Sequence, residues 1–152
     1  MREVARDVAA YHEAGHAVAA AMLGIPVMAV SIRPDGDEAG RVLLELDAAP
    51  VADRVVVLLA GQVGTWMRPA FDGDVTHPGC KRDLEVVARL LGSADPFTDP
   101  RYLAASRRVA DLLHQERASR AVHALAAMLL EREEIAIAAD VEAAELLASL
   151  RP

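Results

Sequence analysis

Two histidines and one glutamate lie within five consecutive residues near the N-terminus, in the segment His12-Glu13-Ala14-Gly15-His16. Residues four apart on an α-helix point the same way, so His12 and His16 can present their imidazoles to a single ion. Zinc binds neutral imidazole nitrogen at about 2.0–2.1 Å, and a catalytic zinc site keeps one position for water. Glu13 is rotated away from the line of the two ligands, where it can act as general base on that water. The segment therefore predicts a catalytic zinc site, with His12 and His16 as metal ligands and Glu13 as the catalytic residue.

An amphipathic helix is predicted around this segment. Apolar residues recur from Val4 to Met22 at steps of four and three, and Gly24-Ile25-Pro26 then ends the helix. The two histidines lie on the flank of this apolar stripe, which would place the metal at the edge of the core, shielded but reachable. Gly15 lies on the stripe itself, and its missing side chain would let a neighbouring segment approach closely.

A small β element is predicted to follow the first helix. Residues 27–32 are rich in β-branched side chains and short enough for a strand, and Pro34-Asp35-Gly36 is a turn signal. A second candidate strand covers residues 41–46. The two strands are therefore expected to form a hairpin.

The rest of the chain favours helices. Residues 53–67 are almost wholly apolar, and their number favours a buried helix over a strand, whereas 69–79 is loop-like. Residues 101–134 are predicted to form one long helix or two joined helices. Two further helices are predicted over 80–91 and over 140–150, with Asp140 as the N-cap of the latter. The prediction is a single, mainly α domain over residues 1–152, with a small β-hairpin or sheet near the N-terminus.

Composition and charge exclude several classes of protein. The net charge is −7 and no dense Lys/Arg tract is present, so nucleic acid is not expected as a partner. The single cysteine, Cys80, excludes an internal disulfide and fits a reducing compartment. The longest uncharged run, 17–32, is interrupted by Gly24 and Pro26 and is too short for a membrane span, and the N-terminus lacks the pattern of a signal peptide. A cytoplasmic location is therefore expected.

A catalytic zinc site needs a third protein ligand, which the short segment does not supply. Residues downstream that could ligate a metal are Asp72, Asp74, His77, Cys80, Asp83 and Glu85. Residue type and spacing do not choose among them. Asp83 also has a structural interpretation, as a carboxylate in the first turn of a helix.

Four segments, in order, resemble the peptidase domain of the FtsH-type ATP-dependent zinc metallopeptidases. Tyr11-His12-Glu13-Ala14-Gly15-His16-Ala17 is similar to the zinc motif of that family. Ser31-Ile32-Arg33-Pro34 and Leu58-Leu59-Ala60-Gly61 resemble its first strand and its Leu-Ala-Gly-Arg helix, and Gly79-Cys80-Lys81-Arg82-Asp83-Leu84 resembles its Gly-Ala-x-Asn-Asp-Leu segment. The resemblance covers nearly the whole chain and implies a helical zinc-metallopeptidase domain. It also implies that Asp83 is the third zinc ligand.

The chain departs from that family in ways that bear on function. These 152 residues contain no Gly-x-x-x-x-Gly-Lys-Ser/Thr phosphate loop, so the expectation is a peptidase domain without an ATPase module. Gln62, Thr65 and Trp66 stand where the family has an arginine and an acidic pair. The interactions that the arginine and the acidic pair make in that family are therefore not carried over to this chain. Cys80 replaces a commoner small residue and is expected to be a small buried hydrophobe rather than a metal ligand.

The resulting hypothesis is a zinc-dependent endopeptidase that cleaves flexible peptides or unfolded protein segments. The 27–32 strand could hold an extended substrate by strand addition. A separate ATPase partner would be needed for folded substrates, and the resemblance implies that a homo-oligomer could form, with Trp66 and Met67 contributing contacts.

Two points stay open on sequence grounds. The rival hypothesis is a non-proteolytic, zinc-binding regulatory or interaction module, although such a module has no need of a base such as Glu13. His77 precedes Asp83 in the loop and could line the cleft as a transition-state stabiliser or an alternate ligand. His114 and His123 are expected to be ordinary surface or flank residues of the C-terminal helices.

Overall fold

The computed structural model describes residues 3–36, 38–69 and 79–152, and these residues form a mainly helical fold with one small sheet. The helices are α1 (Glu3–Met22), α2 (Val51–Trp66), α3 (Gly79–Leu91), α4 (Pro100–Leu113), α5 (Glu116–Arg132) and α6 (Val141–Ala148). The strands are β1 (Val27–Ser31), β2 (Arg41–Leu44) and β3 (Glu134–Ala136). The predicted fold class, mainly α with a small β element, is confirmed at this level.

Helix α1 lies at the centre of the fold and packs most extensively on α2 and α5. Its inward residues are mostly alanine and valine, so neighbouring backbones can approach closely. A Cβ on Gly15 would lie 2.3 Å from the Ala60 carbonyl oxygen, and one on Gly64 would lie 2.3 Å from the Tyr11 carbonyl oxygen. Both contacts are with backbone atoms of the facing helix, which cannot move aside cheaply. The close approach that Gly15 predicts is therefore confirmed, and it is what brings α2 against the histidine side of α1.

The predicted hairpin is present, and a third strand extends it. Strand β1 pairs antiparallel with β2 on one side, with Ser31 opposite Arg41, and with β3 on the other, with Val30 opposite Ile135. The strand order is β2-β1-β3. The proposal that the 27–32 strand could receive an added peptide strand is wrong, because β1 is central and both of its edges are already paired. The edge strand next to the candidate site is β2.

The C-terminal third resolves an alternative that the sequence left open. Two joined helices, α4 and α5, occupy the 101–134 region, and α5 ends at Arg132. Glu133 then adopts a positive φ of 62°, which turns the chain back towards the sheet. Ile135 in β3 is buried in the core. Asp140 caps α6 as predicted, since its carboxylate accepts a hydrogen bond from the Ala143 amide at 3.0 Å.

None of the helices in the described part of the chain combines the length and the hydropathy needed to cross a bilayer. This agrees with the prediction made for residues 17–32, which divide between the end of α1, a turn and β1.

Candidate metal centre

Three side chains from two helices converge at one end of the α1–α2 contact. His12 and His16 come from consecutive turns of α1, and Asp83 comes from the first turns of α3. The Asp83 Oδ2 atom lies 3.1 Å from the Nε2 atom of each histidine, and the two Nε2 atoms are 3.0 Å apart. The sequence separation between His12 and Asp83 is 71 residues, so their meeting is a product of the tertiary fold.

The hydrogen bond between His16 Nδ1 and the Val57 carbonyl oxygen determines the tautomer of the His16 ring. His16 Nδ1 lies 2.7 Å from the Val57 carbonyl oxygen, which can only accept, so Nδ1 carries the proton. In the neutral ring, Nε2 then presents a lone pair towards the Asp83 carboxylate and His12 Nε2. Electron-rich atoms this close together repel one another unless a proton or a metal cation lies between them. The arrangement therefore suits a cation at the centre of the triangle.

In the metal-free protein, a proton on His16 takes part of the role of a cation. Burial opposes charge on His16, but the hydrogen bond and negative charge of Asp83 outweigh it and raise the His16 pKa to about 9. Burial lowers the pKa of His12 to about 4 despite the same carboxylate. Burial would raise the pKa of Asp83, but the hydrogen bonds from both histidines hold it well below its usual range. Asp83 thus favours the protonated form of His16, and the two histidines favour the ionised form of Asp83.

The three donor atoms fit a divalent transition-metal ion. A tetrahedral zinc site with bonds of about 2.0–2.1 Å has ligand atoms about 3.3–3.4 Å apart. The observed separations of 3.0 and 3.1 Å need only a slight expansion to reach that value. Two imidazole nitrogens and one carboxylate oxygen are a ligand set typical of catalytic zinc, with one position left for water or substrate. His12, His16 and Asp83 are thus a group that could hold a metal ion.

Gly61 of α2 makes room for the two imidazoles. A Cβ at this position would lie 2.5 Å from His16 Nε2, 2.6 Å from His12 Cε1 and 2.7 Å from His12 Nε2. Gly64, one turn later, is instead the glycine of α2 that packs against the backbone of α1, whereas Gly61 borders the donor atoms.

Glu13 lies beside the candidate metal ligands in the floor of the same cleft, and it is only 3% exposed. Burial raises the pKa of its carboxyl group to about 8. The chain passes directly over this carboxyl group before entering β2, since a Cβ on Gly40 would lie 2.9 Å from Glu13 Oε1. A buried carboxyl with a strongly perturbed pKa inside a cleft is typical of a functional residue rather than a structural one.

An open cleft of about 560 Å³ leads to these residues. Strand β2 forms one wall and α3 forms the other, with His12, Glu13, His16 and Asp83 among the lining residues. A weak ion pair joins α3 to the segment that precedes β2, with Arg82 Nη1 3.7 Å from Glu38 Oε1. A substrate in this cleft would therefore lie between the edge of the sheet and α3, directly over the predicted site.

The other candidate ligands are not part of the donor triangle or lie outside the described residues. Glu85 is exposed on the α3 wall of the cleft and is not part of the donor triangle, whereas Asp72, Asp74 and His77 lie outside the described residues. Cys80 was expected to be a small buried hydrophobe, but it is half-buried, and its Sγ lies 3.6 Å from His12 Nδ1. No feature of the sequence signals this contact, because it depends on how α3 docks against α1.

The remaining residues singled out by the sequence are not part of the donor triangle. His114 and His123 are exposed, as expected, and His123 Nδ1 is 2.7 Å from the Tyr11 hydroxyl. The buried Thr65 hydroxyl donates to the Gly61 carbonyl oxygen at 3.1 Å, so it supports the helix turn that contains Gly61. Trp66 is 53% exposed.

Comparison of the chain with models of known protein families found no match, and comparison with curated proteins found none either. The similarity to the FtsH-type peptidases therefore rests on the four sequence segments alone.

Replacing Asp83 with alanine should weaken zinc binding at least a hundredfold. A four-ligand zinc site is worth about 10–16 kcal/mol, so one ligand corresponds to about 3 kcal/mol. Competition with a chromophoric chelator measures the change. Glu85→Ala is the matched control, since Glu85 is an acidic residue of the same helix and the same cleft, outside the triangle. Equal loss in both variants would mean that Asp83 acts through general charge and is not a ligand.

Proposed function

We propose that this protein is a zinc-dependent endopeptidase acting on flexible peptides or unfolded protein segments. One observation carries the proposal: the His12–His16–Asp83 donor triangle lies beside the buried Glu13 in the floor of an open cleft. The short segments that resemble the FtsH-type peptidases point to the same chemistry, and they include all four of these residues.

The proposed division of labour follows from the chemistry of each group. His12, His16 and Asp83 would hold the ion, which when bound polarises a peptide carbonyl and makes water easier to deprotonate. Glu13 would take a proton from the attacking water and deliver it to the leaving amine. Its buried position excludes bulk water from the carboxylate, and the positive charge of a bound ion would favour the ionised form that a base requires.

Strand β2 is the element best placed to hold the substrate. It is an edge strand of the sheet formed by the described residues and it lines the cleft, so its outer backbone groups are placed to pair with an extended peptide. Along β2, Arg41 and Leu43 are exposed while Val42 and Leu44 are half-buried, the alternation of a strand with one open face. A peptide bound this way must be extended, which is why flexible segments are the proposed substrates and a separate ATPase would be needed to unfold compact ones.

The geometry supports catalysis over the rival regulatory module. Structural zinc sites are closed by four protein ligands. Within residues 3–36, 38–69 and 79–152 three donor groups converge, and the cleft reaches them from solvent. Burying the carboxyl group of Glu13 also costs free energy, and a role as general base gives a functional reason for that cost that a binding module lacks.

Removing the metal should abolish cleavage reversibly. The purified chain is expected to cut a disordered substrate such as casein, to lose this activity after chelation, and to regain it with stoichiometric zinc. Gel electrophoresis of the substrate and elemental analysis of the protein measure both quantities. Cleavage that persists in the metal-free protein would refute the proposal, and zinc binding without any cleavage would favour the regulatory module.

A further inference from the structure

Cys80 lies behind His12, at the ring nitrogen that does not face the donor triangle. His12 Nε2 is 3.1 Å from Asp83 Oδ2, whereas His12 Nδ1 is 3.6 Å from Cys80 Sγ. The ring is therefore contacted at both nitrogens. His12 itself is 1% exposed, so water cannot readily replace the sulfur as a partner of Nδ1.

The role of this contact follows from the protonation of imidazole. A metal at Nε2 takes the lone pair of that nitrogen and leaves the ring proton on Nδ1, which must then donate to an acceptor. Histidines that bind metals in proteins almost always donate this second N–H to a nearby group, which determines the tautomer and the orientation of the ring. For His16 that group is the Val57 carbonyl oxygen, at 2.7 Å. For His12, the sulfur of Cys80 lies at the corresponding position.

Helix α3 supplies both the third ligand and this support. Cys80 and Asp83 are three residues apart, so they lie on the same face of the first turns of α3. Docking α3 against α1 therefore brings Asp83 Oδ2 to one ring nitrogen of His12 and Cys80 Sγ to the other. The two contacts together leave the imidazole little freedom to rotate.

We propose that Cys80 is a positioning residue of the metal site: its sulfur accepts a hydrogen bond from His12 Nδ1 and orients the imidazole for the ion, without itself being a ligand. The inference rests on the metal site of the proposed function. It gives a reason for a sulfur-containing side chain at a position that could otherwise be any small residue.

Cobalt(II) binding tests the inference, because cobalt reports both affinity and coordination through its visible spectrum. Cys80→Ala is expected to bind cobalt about tenfold more weakly, the lower end of the range for lost outer partners of a metal-binding histidine, since sulfur is a weak acceptor. Its visible bands should shift relative to the original protein. Cys80→Ser retains an acceptor and should restore affinity to within about threefold. Lys81→Ala, an exposed neighbour on the same helix, is the control and should change nothing.

Each result decides the matter. Equal affinity and an unchanged spectrum in Cys80→Ala would overturn the positioning role while leaving the metal site intact. An intense sulfur-to-cobalt charge-transfer band in the original protein, absent from Cys80→Ser, would make Cys80 a ligand and overturn the inference in another way. A Cys80→Ser variant that binds cobalt as weakly as Cys80→Ala would also overturn it, because the sulfur would then not act as a hydrogen-bond acceptor. An original protein that binds neither cobalt nor zinc would overturn the proposed function, and this inference with it.

Discussion

Replacing Glu13 with glutamine is expected to lower peptide cleavage by about a hundredfold to ten-thousandfold, the usual contribution of a general base. Glutamine keeps the size and hydrogen-bonding reach of the side chain but cannot accept the proton of the attacking water. The change should not disturb the fold, because burial raises the pKa of Glu13 to about 8 and the site already accommodates an uncharged group there. Zinc content should stay at the level of the original protein, since Glu13 is outside the donor triangle.

The measurement pairs the cleavage rate with the metal content of the same sample. Glu85→Gln is the matched control, because Glu85 lines the same cleft but is exposed on α3. It should keep activity within a few-fold of the original protein. Glu13→Gln that cleaves as fast as the control would show that the general base is another group. Loss of zinc in Glu13→Gln would instead assign Glu13 to the ligand set.

Replacing Gly61 with alanine is expected to reduce zinc affinity a hundredfold or more without removing any donor atom. The new methyl group would lie 2.5 Å from His16 Nε2 and 2.7 Å from His12 Nε2, so at least one imidazole must leave its place. One displaced ligand corresponds to about 3 kcal/mol of a four-ligand site worth about 10–16 kcal/mol. The helix itself should tolerate the change, since alanine is favoured over glycine by about 1 kcal/mol in a helix interior.

Gly64→Ala provides the contrast, because its methyl group would meet the Tyr11 carbonyl oxygen and not an imidazole. We expect it to destabilise the α1–α2 contact by about 1–3 kcal/mol, the range typical of overpacking, with the zinc affinity of the folded protein preserved. Thermal unfolding of the metal-free proteins and chelator competition separate the two effects. Normal zinc affinity in Gly61→Ala would mean that the imidazoles have room that the structure does not show.

Most of the helical fold could be predicted because a helix requires a pattern of residues close together in the sequence. The apolar periodicity of α1, the apolar length of α2 and the Asp140 cap of α6 all depend on residues within a few positions of one another. No local sequence pattern predicts strand β3. Its three residues are extended because Ile135 fits the core and because β1 offers a free edge, and both conditions arise from distant parts of the chain.

The same distinction explains why the predicted substrate strand was wrong. Residues 27–32 have the composition of a strand, but composition does not say whether a strand is central or at an edge. Pairing with both β2 and β3 makes β1 central and transfers the open edge to β2. In the proposed function, β2 rather than β1 is therefore the strand that would pair with an extended peptide.

For the candidate site, the sequence by itself determined the relative placement of the residues that lie on one helix. The four-residue spacing of His12 and His16 places both imidazoles on one side of α1, and Glu13 follows from the same helical geometry. The choice of Asp83 among six downstream candidates came from a resemblance. Only the fold brings it to 3.1 Å from both histidines, although 71 residues of chain separate it from His12. The space at Gly61 and the Cys80 contact behind His12 were decided by tertiary structure alone. The physical reason is that helical periodicity is a property of the local backbone, whereas distances between helices depend on how the whole core packs.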